Sequence, residues 1–106
     1  MLSKKERLNR ATFNRFFASG KRIQGTYIQL IYTKYPSLHA SVVVSKKVAK
    51  KAVERNKIRR RIYAIVRTIL QKERKKGVYI CIVKPSAYTT SFQELKDDIK
   101  ALTSRI

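Results

Sequence analysis

The sequence predicts an α+β fold, a small mixed sheet packed by helices in the order α-β-β-α-β-α, with one further edge strand between the first helix and the sheet. Three observations carry this. Apolar residues recur with helical period in three separate stretches, and the segments between them are rich in β-branched and aromatic residues. Gly and Pro are scarce, 3 and 2 in 106 residues, so the chain reads as one domain over residues 1–106.

The first helix is expected over residues 9–19, where Phe13, Phe16 and Phe17 recur at i, i+3 and i+4 and Gly20 supplies a stop. Residues 21–25 fit a short edge strand, and 26–33 a fuller one. Tyr35-Pro36-Ser37 marks a turn. In residues 38–45, Leu38, Ala40, Val42 and Val44 fall on one face, apolar enough for a core. His39, Ser41, Val43 and Ser45 fall on the other, small and polar enough for an open surface. A long helix is predicted over 48–76, with Ile58, Ile62, Ile65, Val66 and Ile69 as its apolar stripe and Gly77 as its end. Residues 78–83 are nearly all apolar and read as an interior strand closed by Lys84-Pro85. Ser91 and Glu94 form a capping box for a last helix whose buried stripe is Phe92, Leu95, Ile99 and Leu102.

Charge narrows the function. Lys and Arg number 26 against 6 acids, a formal +20. Solubility needs a net charge of only about 2–8. So large a surplus is explained by a polyanion whose phosphates release counterions to it. At 43% hydrophobic residues the chain is a folded domain and not a disordered basic tail. Cys81 is the single cysteine, which excludes a disulfide framework and a zinc set, and its apolar run points to a buried thiol. No run approaches the roughly 18 apolar residues of a membrane span, and the first residues lack a signal core. A cytoplasmic protein is expected.

Side-chain catalysis is poorly supported. Glu94, Asp97 and Asp98 cluster, but acids in a first helical turn are accounted for by the helix dipole. His39 is the sole histidine, with no nucleophile or carboxylate set beside it, and no Gly-rich phosphate loop is present. No catalytic residue and no protein metal ligand is assigned.

The basic segment 46–76 holds 14 Lys and Arg against Glu54 and Glu73, a surplus of +12. At about 100° per residue, Ile58, Ile62, Ile65 and Ile69 fall within about 60°. Asn56, Arg60, Tyr63 and Arg67 fall within a band of about 60° opposite. An amide, two guanidiniums and a phenol in one stripe suit phosphate and ribose. The three phenylalanines of the first helix leave two readings open: all core, or Phe13 and Phe17 as rings on which single-stranded bases stack.

Residues 52–60, Ala-Val-Glu-Arg-Asn-Lys-Ile-Arg-Arg, with Ser45-Lys46-Lys47 upstream, closely resemble the protein component of bacterial ribonuclease P. The Phe-x-x-x-Phe helix ending at Gly20, the Tyr32 strand and the strand ending Lys84-Pro85 extend the resemblance over nearly the whole chain. The resemblance implies that a partner RNA, with bound Mg²⁺, removes 5′ leaders from precursor tRNA, with one protein per RNA. It implies that Lys46, Lys47, Arg55, Asn56, Lys57, Arg59 and Arg60 contact the catalytic RNA. It also implies that Phe13, Phe17 and Tyr32, with Val43 as floor, line a leader cleft between the first helix and the sheet. The implied fold is the one this family shares with the second domain of a small-subunit ribosomal protein, with a left-handed β-α-β crossover.

Three positions depart from the family pattern. Lys57 stands where a second Arg is common, Ala49 where a larger apolar residue is usual, and Tyr63 at a frequently basic position. Arg67, on the same stripe, is positioned to replace the charge absent at Tyr63. A ribosomal-type rRNA-binding protein is the alternative of similar charge and size, without need of an aromatic leader cleft.

Overall fold

The computed structural model describes residues 9–106; the opening residues read above for a signal core lie outside them. Helix α1 (Arg10–Ser19) leads into strands β1 (Lys21–Gln24), β2 (Ile28–Thr33) and β3 (Leu38–Val43). Helix α2 (Ala52–Lys72), strand β4 (Gly77–Val83), a 3₁₀ turn (Pro85–Thr89) and helix α3 (Phe92–Ser104) follow. The strands form one sheet ordered β1-β2-β4-β3. The β1–β2 and β2–β4 pairs are antiparallel, and the β3–β4 pair is parallel. The small mixed sheet packed by helices matches the predicted α+β class, and β1 is the edge strand foreseen there.

Strand alternation gives the sheet two different faces. Ile28, Leu30, Ala40, Val42, Tyr79, Cys81 and Val83 join α2 and α3 in the main core, packing on Ile58, Ile62, Ile65, Val66, Ile69, Leu95, Ile99 and Leu102. On the opposite face Ile31, Val78 and Ile80 form a smaller cluster under Phe16. Phe16 is the one buried residue of α1, so a single ring anchors this helix. Asn9 caps α1 by accepting a 2.8 Å bond from the Thr12 N–H. Gly20 closes it at a point where a Cβ would come within 2.4 Å of Ile31 Cγ2.

The boundaries of α2 differ from the sequence reading at both ends. Residues 48–51 are not helical; Val48 and Ala49 are buried in the connection from β3, where their N–H groups reach back to the Ser45 carbonyl at 3.1 and 3.4 Å. At the other end the helix stops before Gly77. Arg74 takes the left-handed conformation (φ 52°), and the Lys75 and Arg74 N–H groups bond the Leu70 and Gln71 carbonyls at 2.9 and 3.1 Å. This is a Schellman closure with arginine where glycine is usual. Gly77 instead opens β4 at φ 125°, where a Cβ would lie 2.6 Å from Tyr32 Cε1.

Helix α3 starts on the Ser91–Glu94 pair: Ser91 Oγ accepts from the Glu94 N–H at 3.2 Å and bonds Glu94 Oε1 at 3.0 Å. Phe92, expected in the buried stripe, is 49% exposed, and of that stripe only Leu95, Ile99 and Leu102 reach the core. The acidic cluster is also corrected. Asp98 is no dipole acid: its carboxylate accepts from the backbone N–H groups of Thr26, Tyr27 and Ile28 at 2.9, 2.9 and 3.0 Å. It pins the β1–β2 turn to α3. Lys84 Nζ donates to the Gly25 carbonyl at 2.6 Å from the other side.

Candidate nucleic-acid interface

Helix α2 presents its cations because two layers bury its other side. The sheet and α3 both pack on it, so burial spans Ile58, Ile62, Tyr63, Ile65, Val66, Ile69 and Leu70. That arc is about 160° wide at about 100° per residue. It is wider than the four-isoleucine stripe, and it takes in Tyr63. Tyr63 is 6% exposed, and its hydroxyl accepts a 3.2 Å bond from the Val42 N–H of edge strand β3. Tyr63 therefore belongs to the core, not to the exposed stripe. Asn56, Arg60 and Arg67 remain exposed together along the helix. With Val53, Arg59 and the edge of Tyr63, Asn56 and Arg60 line an open groove of about 390 Å³.

Internal bonds pre-set two of these side chains. Arg59 Nη1 donates to Asn56 Oδ1 at 2.6 Å, which engages the amide oxygen of an exposed Asn56. Arg55 Nη1 donates to the Ala49 and Lys50 carbonyls at 3.0 and 2.6 Å. Arg55 thus laces the connection onto α2, which begins at Lys51 without a side-chain cap. Lys46 and Lys47 lie in that connection and border a second groove, of about 480 Å³, with Lys50, Lys51, Glu54 and Tyr88. Lys57 and Arg61 border its continuation past Glu54 and Tyr88.

On the other sheet face, Phe13 and Phe17 flank the Phe16 anchor, half-buried, with ring centroids 5.6 Å apart and planes tilted by 30°. Val43 and Ile82 lie half-buried beside the same cluster. The Arg22 guanidinium sits 5.0 Å from the Phe17 centroid and donates to the Phe17 carbonyl at 3.1 Å. Phe16 is core, while Phe13 and Phe17 pack against its cluster and keep part of their surface outward.

Tyr32 does not join them. It pairs across the sheet with Tyr79, ring centroids 5.2 Å apart, and packs on the main core of the opposite face. Period-two alternation forbids Tyr32 from sharing a face with its neighbour Ile31, which lies under Phe16. Its exposed edge borders a separate groove with Lys34, Tyr35, Pro36 and Lys76.

Among the described residues no group of three His, Cys, Asp or Glu side chains gathers as a metal-ligand set. His39 bonds Ser37 Oγ through Nε2 at 2.9 Å and packs edge-on against Tyr35. Burial pushes the Cys81 thiol up to about 12, so it stays protonated and unreactive.

The ribonuclease P family matches residues 2–106 of the sequence. The chain belongs to the ribonuclease P protein family. The ribonuclease P protein component of Pseudanabaena is 38% identical over 112 residues, covering 99% of this chain and 94% of that one. That of Microcystis aeruginosa is 30% identical over 100 residues, covering 89% and 83%. The ribonuclease P protein of Thermotoga maritima superposes with a TM-score of 0.76 at 27% identity, covering 95% and 97%. A Staphylococcus aureus ribonuclease P protein gives 0.76 at 17% identity, covering 94% of each chain, a likeness of fold alone.

Family membership makes this protein part of a tRNA-processing enzyme with an RNA partner and does not favour the ribosomal alternative. The relatives are bacterial, and among the described residues no helix is long and apolar enough to cross a membrane. Sequence reasoning missed Tyr88 and Arg22. No periodicity marks Tyr88, which lies in the 3₁₀ turn, and Arg22 meets Phe17 only because β1 folds back beside α1.

Proposed function

We propose that this ribonuclease P protein binds the catalytic RNA through the exposed arc of α2 and the 5′ leader of precursor tRNA along the α1 face of the sheet. The observation that carries the reading is the separation of the two surfaces. Asn56, Arg60 and Arg67 stand on the solvent side of α2, and Phe13, Phe17 and Val43 lie across the sheet from it. Guanidinium forks and an exposed amide suit the fixed phosphates and ribose hydroxyls of a folded RNA. Paired, partly open rings suit unpaired bases, with little preference for sequence. Lys46, Lys47, Lys57 and Arg59 extend the cationic surface, and Arg55 contributes by holding the Lys46–Lys51 connection on the helix.

Chemistry in this reading belongs to the RNA subunit, with one protein per RNA, in the bacterial cytoplasm. In this proposal the Mg²⁺ is bound mainly through the partner RNA, and the protein contributes by binding RNA rather than by side-chain catalysis. The test is reconstitution. RNA-free protein should leave precursor tRNA intact, and adding a bacterial ribonuclease P RNA with Mg²⁺ should release the leader at the mature 5′ end. Site-specific cleavage by the protein alone would overturn the proposal. Arg60→Ala should also reduce the salt dependence of RNA affinity by roughly one phosphate contact.

A further inference from the structure

The exposed arc of α2 has two margins. Asn56, Arg60 and Arg67 occupy the one beside β3, and Glu54, Lys57 and Arg61 lie about 100° further round, facing the 3₁₀ turn. There Tyr88, half-exposed, donates its hydroxyl to Glu54, and the carboxylate at its oxygen raises the phenol above its ordinary value. The ring is thus held in place with part of its surface open. It stands where two grooves meet: Lys50 and Lys51 border one, Lys57 and Arg61 the other, and both share Glu54 and Tyr88. The single acid among these cations is already spent on the tyrosine. A fixed aromatic ring between two groups of cations has the layout of a nucleotide seat, a base on the ring and a phosphate to either side.

We propose that this junction is a second RNA contact, in which one unpaired nucleobase of the partner RNA stacks on Tyr88 between phosphates held by Lys50 and Lys51 and by Lys57 and Arg61. The proposal rests on the α2 reading above and extends it: RNA held at both margins wraps the helix, which fixes its rotation about its own axis. Glu54 acts as a positioning residue for the ring.

The experiment measures affinity of the full chain for a bacterial ribonuclease P RNA across a salt series, with the melting midpoint of each variant. Tyr88→Ala should weaken binding roughly 5- to 100-fold. It should leave the salt slope and the melting midpoint as they are, because the lost contact is uncharged and exposed. Tyr88→Phe keeps the stacking surface but loses the bond to Glu54, so its affinity should fall between those of the parent and Tyr88→Ala. Lys51→Ala combined with Arg61→Ala should lower the salt slope by about two phosphate contacts, an arm that needs no change at Tyr88 or at the residues of the first surface. Arg60→Ala separates the two readings. If Arg60→Ala weakens binding while Tyr88→Ala does not, the stacking contact is wrong and the α2 interface stands, whatever the Lys51 and Arg61 double variant does. If none of them weakens binding, both fall.

Discussion

Phe16→Ala and Phe17→Ala are one residue apart on α1 and should fail in different ways. Phe16 is 5% exposed above Ile31, Val78 and Ile80, none more than 1% exposed. A buried aromatic ring removes roughly 200 Å² from water. At about 25 cal/mol per Å² that is about 5 kcal/mol, an upper figure because the unfolded chain is already partly collapsed. Truncation of buried phenylalanines costs about 3–5 kcal/mol. The loss concentrates on α1, which has no second buried residue and at ten residues is marginal as an isolated helix. Phe16→Ala should therefore lower the melting midpoint by more than about 10 °C and expose the α1 amides to exchange. Phe17 is half-buried and packs on Phe13 and Arg22, so Phe17→Ala should cost no more than about 1–1.5 kcal/mol of stability. In the reconstituted ribonucleoprotein it should instead weaken binding of leader-bearing tRNA by about 1–3 kcal/mol. Mature tRNA should bind as before. The assay is paired: thermal melting with amide exchange for the free protein, and equilibrium binding of both tRNAs for the complex. Equal losses for both tRNAs, with a drop in melting midpoint at Phe17 as large as at Phe16, would refute the separation of anchor from cleft.

Asp98→Asn leaves one oxygen to accept from the Tyr27 and Ile28 N–H groups and sets an NH2 donor against the Thr26 N–H, and should cost about 1–3 kcal/mol in denaturant unfolding; a loss under about 0.5 kcal/mol would mean that water replaces the lost acceptor. Glu94 lies below its ordinary 4.5 because the Tyr27 hydroxyl and then Ser91 donate to it, so its contribution is present above the unfolded value and is lost as pH falls through the lower folded one. Tyr27→Phe should therefore reduce the loss of stability below about pH 4.5, and an unchanged acid limb in urea unfolding would count against that bond. Arg74→Gly should raise stability by about 0.5–1 kcal/mol by relieving a positive φ, whereas Arg74→Ala should give no gain; equal melting of the two variants would refute the strain.

The order of elements was legible in the residues because strand and helix periodicity are local properties. The apolar run of β4, the isoleucine stripe of α2 and the Ser91–Glu94 cap needed nothing beyond their own neighbours. The charge surplus of α2 was legible for the same reason, since cations on one side of a helix survive any packing that buries the other side. What periodicity could not show was how wide that buried side would be. Tyr63 left the exposed stripe because a second layer, α3, and an edge-strand N–H on Val42 both met the helix. Tyr32 left the cleft because register, set by pairing with Tyr79, decides which face each alternate residue takes. Asp98 and Tyr88 are 70 and 34 residues from the groups they bind, Ile28 and Glu54. No spacing rule reaches that far, because only the closed fold brings those atoms together.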